Sequence, residues 1–319
     1  MEPHLTPVTH LVTHSGGFHA DELMSSVILT RLFPQAQIIR SRDEAWITPA
    51  ENRIIYDVGR DYDPAKRIFD HHQREAPLRP DGQPYSSFGL IWHHYGRDYL
   101  RAMAVPEADL DRIHTSFDMG FVLPIDLTDN GALSPAAAGA QLAGLTLPEL
   151  MESLKPVFDD RGEGADDRAF MAALQIARAF VEAAIRNRAA RARAEAMVMA
   201  AIAQAGASRV LELPQGMPFR AAVEKAGADH LLFVVHPREA DWMITGIRKA
   251  DSGFEQRADL PLAWAGLTDA ALEAASGVKG ARFCHNGRFI AVAETREAIL
   301  AMARIAVAEA EAEAEAASA

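Results

Sequence analysis

From residue 8 to about residue 135 the chain alternates short apolar runs with stretches of helical period, and this alternation constrains its fold most. Strands separated by helices predict an α/β domain: a mostly parallel sheet with helices on both faces. Residues 8–13 read as a strand. Residues 21–33 read as a helix, with Leu23, Val27, Ile28 and Leu32 on one face and Pro34 stopping it. The segments 37–40, 53–57 and 67–69 are short strand candidates, each followed by polar or turn residues. Residues 86–103 read as a second helix that Ser86 or Ser87 can cap. In sheets of this kind ligands bind outside the carboxyl ends of the strands.

Those ends carry side chains that ligate metals. The run His14-Ser15-Gly16-Gly17-Phe18-His19-Ala20-Asp21-Glu22 follows the first strand, Asp57 ends another, and Phe69-Asp70-His71-His72 ends a third. Imidazole and carboxylate hold hard or borderline divalent ions. Taken singly, each cluster has a plainer reading. Asp21 could favour the positive end of a helix dipole, Asp57 could be a turn residue, and His71-His72 a solvated pair. Their joint occurrence at consecutive strand ends points instead to one metal site, drawing on His14, His19, Asp21, Asp57, Asp70 and His71. A later acid, Asp129 or Asp126, is expected from 125–131, which reads as a turn-forming segment. A carboxylate that bridges two ions about 3.5–4 Å apart lets them clamp the attacking and leaving oxygens of a phosphoryl displacement. Without cysteine ligands, Mn²⁺ is favoured, with Mg²⁺ as the alternative. Ser86 and Ser87 would also offer hydroxyls and free N–H groups to an anion at a helix start, beside simple capping.

The length of 319 residues exceeds what one core usually organises. The expected division is a metal-binding domain over 1–165, a long connecting helical segment over 166–206, and a smaller α/β domain over 207–319. The connecting segment is Ala- and Arg-rich and could carry a homo-oligomer contact. Its Arg186, Arg188, Arg191 and Arg193 read as a solvated face sooner than a nucleic-acid track. Strands are expected at 210–213, 231–236, 242–247, 282–285 and 289–292, with helices near 268–276 and from 295. The Ala-Glu repeat at 308–315 reads as a solvated helical extension. The single cysteine, Cys284, excludes an intramolecular disulfide and a thiolate cage. No apolar run approaches the roughly 20 residues that span a bilayer. Residues 1–7 lack the pattern of a secretion signal, so a cytoplasmic location is expected. The net charge of −12 argues against a long duplex as substrate, because such binding needs a basic face.

The Asp-His-His triplet with an upstream His-containing loop and an isolated strand-end Asp resembles the DHH phosphoesterase superfamily. More closely, THSGGFHADE, IIYDVG, FDHHQ, SSFGLIW and IDLTDNG, with FEQRADLPLAWAGL and FCHNGRFIAVAETREAI in the C-terminal half, resemble the melanocyte proliferating gene 1 protein family. The resemblance spans about residues 9–305. It implies a DHH-type N-terminal domain, a smaller C-terminal substrate-binding domain, and metal-dependent phosphodiester hydrolysis. A 3′-to-5′ exonuclease activity on RNA is ascribed to eukaryotic members. By position it implies that His14, His19 and Asp21, then Asp57, then Asp70, His71 and His72 form the successive motifs. His71 would ligate metal and His72 face the phosphate, and Asp129 comes before Asp126 as the later ligand. Two departures stand out: His19 occupies a position usually held by a carboxylate in the wider superfamily, and Ala291-Val292 stands where the family tends to have Gly-Gly. Glycine permits close backbone approach to a ligand. His285, Arg288 and Arg296 are the candidate phosphate contacts that remain there. The expected function is phosphodiester hydrolysis on short RNA or oligonucleotide ends. A small phosphoester, such as a dinucleotide or nucleoside bisphosphate, is the alternative substrate, and a non-catalytic metal- or nucleotide-binding module the alternative class.

Overall fold

A computed structural model describes residues 7–160, 162–249 and 253–318. Residues 1–6 of the stretch read for a leader, and residue 161 of the charged 159–167 linker, lie outside the described residues. The chain divides into two compact units, Met1–Ala189 and Ala190–Ala319.

The first unit runs β1 (His10–Thr13), α1 (Ala20–Leu32), β2 (Gln37–Arg40), α2 (Glu44–Ile47), β3 (Arg53–Tyr56), β4 (Tyr62–Asp63) and β5 (Ile68–Phe69). Then come α3 (Ser87–Ala102), α4 (Leu110–Phe117), α5 (Leu123–Asp129) and α6 (Leu147–Glu152). The sheet order is β2-β1-β3-β5-β4. β1 pairs parallel with β2 and β3, β3 with β5, and only the edge strand β4 is antiparallel. Leu11, Val12, Ile54 and Ile55 alternate between the two faces and are all fully buried, as strands covered on both sides require. Leu11, Ile54, Tyr56 and Phe69 pack with the apolar residues of α1, α3 and α4 in the main core. Val12, Ile55, Val58 and Ile68 face the other way, against Trp46 and Ile47 of the one-turn α2.

The segment 125–131 is not an independent turn. A π-helical turn (Asp118–Val122) joins α4 directly to α5, so Asp126 and Asp129 sit on a helix and only Asn130-Gly131 turn away. Pro124 lies in the first turn of α5, directly after the π-helical turn. The long helical pattern is unbroken: α7 (Ala165–Ala205) runs 41 residues, and the division between the units falls inside it. Phe170, Ala173, Leu174, Ala177, Val181 and Ile185 form its buried stripe in the first unit.

The second unit continues with β6 (Val210–Glu212), α8 (Arg220–Lys225), β7 (Phe233–Arg238), β8 (Asp241–Gly246), α9 (Asp269–Ser276), β9 (Ala281–Cys284), β10 (Ile290–Ala293) and α10 (Arg296–Ser318). Its sheet order is β6-β7-β8-β10-β9, with β6–β7 the one parallel pair. The Ala-Glu repeat forms the exposed end of α10. Among the described residues no helix is long and apolar enough to cross a membrane.

Candidate metal centre

The three central parallel strands deliver their ligand clusters to one point. His14 follows β1 and is 4% exposed; its Nε2 lies 3.1 Å from Glu22 Oε1 and 3.2 Å from Asp57 Oδ2. Asp57 follows β3 and its other oxygen, Oδ1, is 3.3 Å from His71 Nε2. Asp57 therefore lies between the two imidazoles, one oxygen toward each, which is the placement of a bridging carboxylate. His71 follows β5, and its Nε2 is also 3.3 Å from Asp129 Oδ2 and 3.9 Å from Asp21 Oδ2. His19 is exposed at the rim, its ring 6.2 Å from that of His14. Its ligand atom falls within 4.8 Å of those of Asp21 and Asp129, and in a second grouping within the same distance of His14 and Glu22.

Local structure fixes each of these groups. His19 is the N-cap of α1, and Glu22, three residues on, accepts its backbone N–H at 2.9 and 2.8 Å, the return half of a capping box. That places Asp21 and Glu22 in the first turn, where a carboxylate is favoured by the helix dipole. The first loop is strapped by Arg40 at the end of β2. Its side chain is 4% exposed, donates to the Gly16 carbonyl and to Asp167 (2.8 Å), and lies over the Phe170 ring at 4.6 Å. Asp57 has a left-handed backbone (φ 57°), and Gly59, at φ 105°, completes the turn.

Asp70 is fully buried and already satisfied. It accepts from the backbone N–H of Arg60 (2.6 Å) and His71 (2.8 Å), and from His72 Nδ1 at 2.7 Å. Burial would raise its pKa, but the His72 contact and the Arg60 N–H hold it below the usual carboxylate range. In return Asp70 raises the pKa of His72, whose side chain is 55% exposed and whose Nε2 is left free.

The buried cluster shows the marks of a cation site. Asp21 Oδ1, Asp57 Oδ1 and His71 Nε2 are buried without a hydrogen-bond partner, an arrangement that buried polar atoms avoid unless something else satisfies them. Burial works against charge on His14, yet Asp57 and Glu22 override it and push the imidazole up to about 10. His71 is driven to about 10 against the same burial, by Asp57 and Asp21. Burial, with repulsion from Asp21, pushes Asp129 up to about 9, and burial with the neighbouring acids pushes Glu22 to about 8. Asp57 is the exception: burial would raise it, but His14 and His71 hold it at about 2. Protons gather where positive charge is wanted, and a bound divalent ion would supply that charge instead. The donor set, carboxylate and imidazole with no thiolate, fits Mn²⁺ or Mg²⁺.

Two expectations are corrected. Asp126 is not a ligand: it is fully buried and accepts from Arg79 (2.6 Å), Ser86 Oγ (2.7 Å) and the Gly89 N–H (3.0 Å). Ser86 and Ser87 are fully buried and cannot meet an anion. Ser86 caps α3 and donates to Asp126, while Ser87 donates to Asp21 Oδ2 at 2.8 Å. Their helix start is thus occupied by carboxylates of the protein itself. His285, Arg288 and Arg296 belong to the second unit. His285 Nδ1 accepts the Gly287 N–H at 2.9 Å, Arg288 pairs with Asp259 at 2.7 Å, and Arg296 grips Glu212 at 2.6 and 2.7 Å.

Sequence reasoning passed over three contributors. Glu22 was visible as the third residue after an N-cap. Asn130 stands beside Asp129: its Nδ2 donates to the Tyr85 and Asp126 carbonyls, so its Oδ1 faces His71 Nδ1 at 3.4 Å and favours Nε2 as the ligating nitrogen. Arg79, which ties Asp126 to Asp118, carries no sequence signal at all.

A fold of parallel strands that converges imidazoles and carboxylates on a cavity of about 850 Å³ defines a metal-binding α/β protein. A sequence profile of the MYG1 exonuclease family, described as an uncharacterised protein family (UPF0160), matches residues 10–307, and the chain belongs to that family. It is 32% identical to the MYG1 protein C694.04c of Schizosaccharomyces pombe, covering 92% of this chain and 96% of that one. It is 31% identical to the human MYG1 exonuclease, covering 92% and 84%. Among solved structures it is similar to RecJ of Thermus thermophilus in complex with Mn²⁺, at 16% identity and a TM-score of 0.28, over 95% of this chain and 52% of that one.

Proposed function

We infer that the protein is a metal-dependent phosphodiesterase that acts as an exonuclease on RNA or short oligonucleotides. The observation that carries this reading is Asp57, whose two oxygens lie toward His14 and His71 within a buried set of further carboxylates. Family membership alongside a relative named an exonuclease supports the same reaction class.

His14, Glu22, His19, Asp21, Asp57, His71 and Asp129 would hold the metal, Mn²⁺ by preference, and the number of donors would suit two ions. When bound, divalent ions neutralise phosphate charge and lower the pKa of water so that a nucleophile is available at neutral pH. The protein's own part is positional. Asp70 holds His72 Nδ1 and raises the pKa of the ring, which favours the charged form whose Nε2–H can donate to a non-bridging oxygen of the phosphate. Ser87 occupies Asp21 Oδ2 and leaves Oδ1 for the ion. Asn130 does the corresponding work for His71.

Purified protein with Mn²⁺ should shorten a labelled RNA oligomer, and His71→Ala should abolish the shortening. A metal-replete protein inert on every phosphodiester would sink the reading. The acidic balance, −12 overall, favours a second reading in which the substrate is a dinucleotide or other small phosphoester. A length series from two to twenty nucleotides separates the two: a rate that peaks at the dinucleotide supports the second.

A further inference from the structure

Two arginines line the cavity of the metal cluster, and neither side chain touches a residue of that cluster. Arg42 follows β2, and Arg60 closes the turn that begins at Asp57; both are exposed. Among the described residues they are the only lysines or arginines lining a cavity whose other charged groups are aspartates, glutamates and histidines. Arg97 and Arg101 of the first unit are neutralised, by Asp111 and Glu107, whereas the exposed Arg74 and Arg168, which do not line the cavity, have no carboxylate partner among the described residues. Among the described residues no carboxylate pairs with either Arg42 or Arg60. Arg42 makes one polar contact, Nε to the Ser15 carbonyl at 3.4 Å.

The backbone at Arg60 is strained. Its φ is 54°, in the left-handed region that glycine occupies freely and other residues enter at a cost of order 1 kcal/mol or more. Its N–H is fixed to Asp70 Oδ2 at 2.6 Å, so the side chain departs from the same turn that aims Asp57 and braces the carboxylate orienting His72. A guanidinium is permanently charged, and its planar fork grips a phosphate through two parallel N–H bonds.

We propose that Arg42 and Arg60 form a phosphate-binding subsite beside the metal centre, gripping an anionic phosphate other than the one being cleaved. The inference rests on the phosphodiesterase reading for its placement in a reaction, and it specifies a substrate class: molecules with at least two phosphate groups. The second group is either the neighbouring diester of an oligonucleotide or part of a free pyrophosphate-type ligand, and both share the chemistry that the arginines recognise.

The test is binding of a labelled tetranucleotide, with Ca²⁺ replacing Mn²⁺ to suppress turnover. The proteins are wild type, Arg42→Ala, Arg60→Gly and the double variant; Arg60→Gly keeps the left-handed backbone and the N–H to Asp70. Arg101→Ala, on the exposed face of α3, controls for loss of one charge. The double variant should bind about tenfold more weakly, with a shallower dependence on salt, while Arg101→Ala binds as wild type. In Mn²⁺, KM for the tetranucleotide should rise at least about fivefold more than KM for bis(p-nitrophenyl) phosphate, which carries a single phosphate. Competition by pyrophosphate that is lost in the double variant assigns a free polyphosphate; competition by oligonucleotide alone assigns the neighbouring diester. Double-variant binding equal to wild type or to the Arg101→Ala control, or wild type binding neither probe, overturns the subsite. A wild type that binds but hydrolyses neither substrate removes the phosphodiesterase reading and leaves the binding comparison to judge the subsite.

Discussion

At the scale of single residues, two aspartates three positions apart on α5 have opposite roles, and their variants should behave oppositely. Asp129 is pushed up to about 9 by burial and by Asp21, so in the metal-free protein its charge is a liability. Asp129→Asn should leave the metal-free protein as stable as wild type or more so, yet erase most of the rise in Tm that Mn²⁺ gives wild type. Asp126→Asn should destabilise the protein by about 1–3 kcal/mol whether or not metal is present, because it removes one of the two carboxylates that hold the buried Arg79 guanidinium and leaves Asp118 alone with it. Thermal scans with Mn²⁺ and with chelator distinguish the two. Gly89 shows why Asp126 has no freedom: a Cβ at that position would collide with Asp126 Oδ2 and Tyr85. Gly89→Ala should lower the urea midpoint by the equivalent of about 2–4 kcal/mol with an unchanged m-value.

At the scale of elements, the site is an assembly of strand ends held by turns whose conformations are unusual. The turn after β3 carries Asp57 and Arg60 at positive φ with Gly59 between them, and a Cβ at Gly59 would lie 2.8 Å from Ile68 Cδ1. Gly59→Ala should therefore cost more than about 1 kcal/mol and weaken Mn²⁺ binding, as read by chemical denaturation and calorimetry. The same elements set the proton inventory. In the metal-free state His14 and His71 are raised to about 10 and Glu22 to about 8, so all three carry protons at neutral pH. Only the deprotonated forms ligate, so Mn²⁺ uptake must release protons and its apparent affinity must rise between about pH 6 and 8. Calorimetry in buffers of different ionisation enthalpy measures the release; a buffer-independent heat would contradict it. Most of these elements were legible. β2 coincides with the segment expected, and α1, α3 and β3 begin or end within a residue of it, because alternating burial and a caps-to-proline pattern leave few choices. The segment after residue 118 was not legible, since a Pro and a Thr-Asp-Asn-Gly run look like a turn until Val122, Leu123 and Ile125 find a core to enter.

At the scale of the whole molecule, the chain consists of two α/β units with separate cores, and the ligand cluster lies entirely in the first. The acidic end of α10 contributes the surface pair of Arg209 with Glu311 at 2.9 Å. Truncation after Ala310 should accordingly shift Tm by little, since exposed pairs are worth about 0.2–1 kcal/mol. The sequence by itself determined the class of fold, the family, and which strand ends carry His14, Asp57 and His71, because hydrophobic period and ligand type are local properties of the chain. It left open which of the neighbouring polar residues join the buried cluster. Asp126 and Asp129 are chemically identical on paper, as are Ser87 as anion contact and Ser87 as partner of Asp21. Only the tertiary structure decided between them, because the choice rests on distant groups, Arg79 and Gly89 for Asp126, His71 for Asp129 and Asp21 for Ser87, that are brought within bonding distance by packing alone.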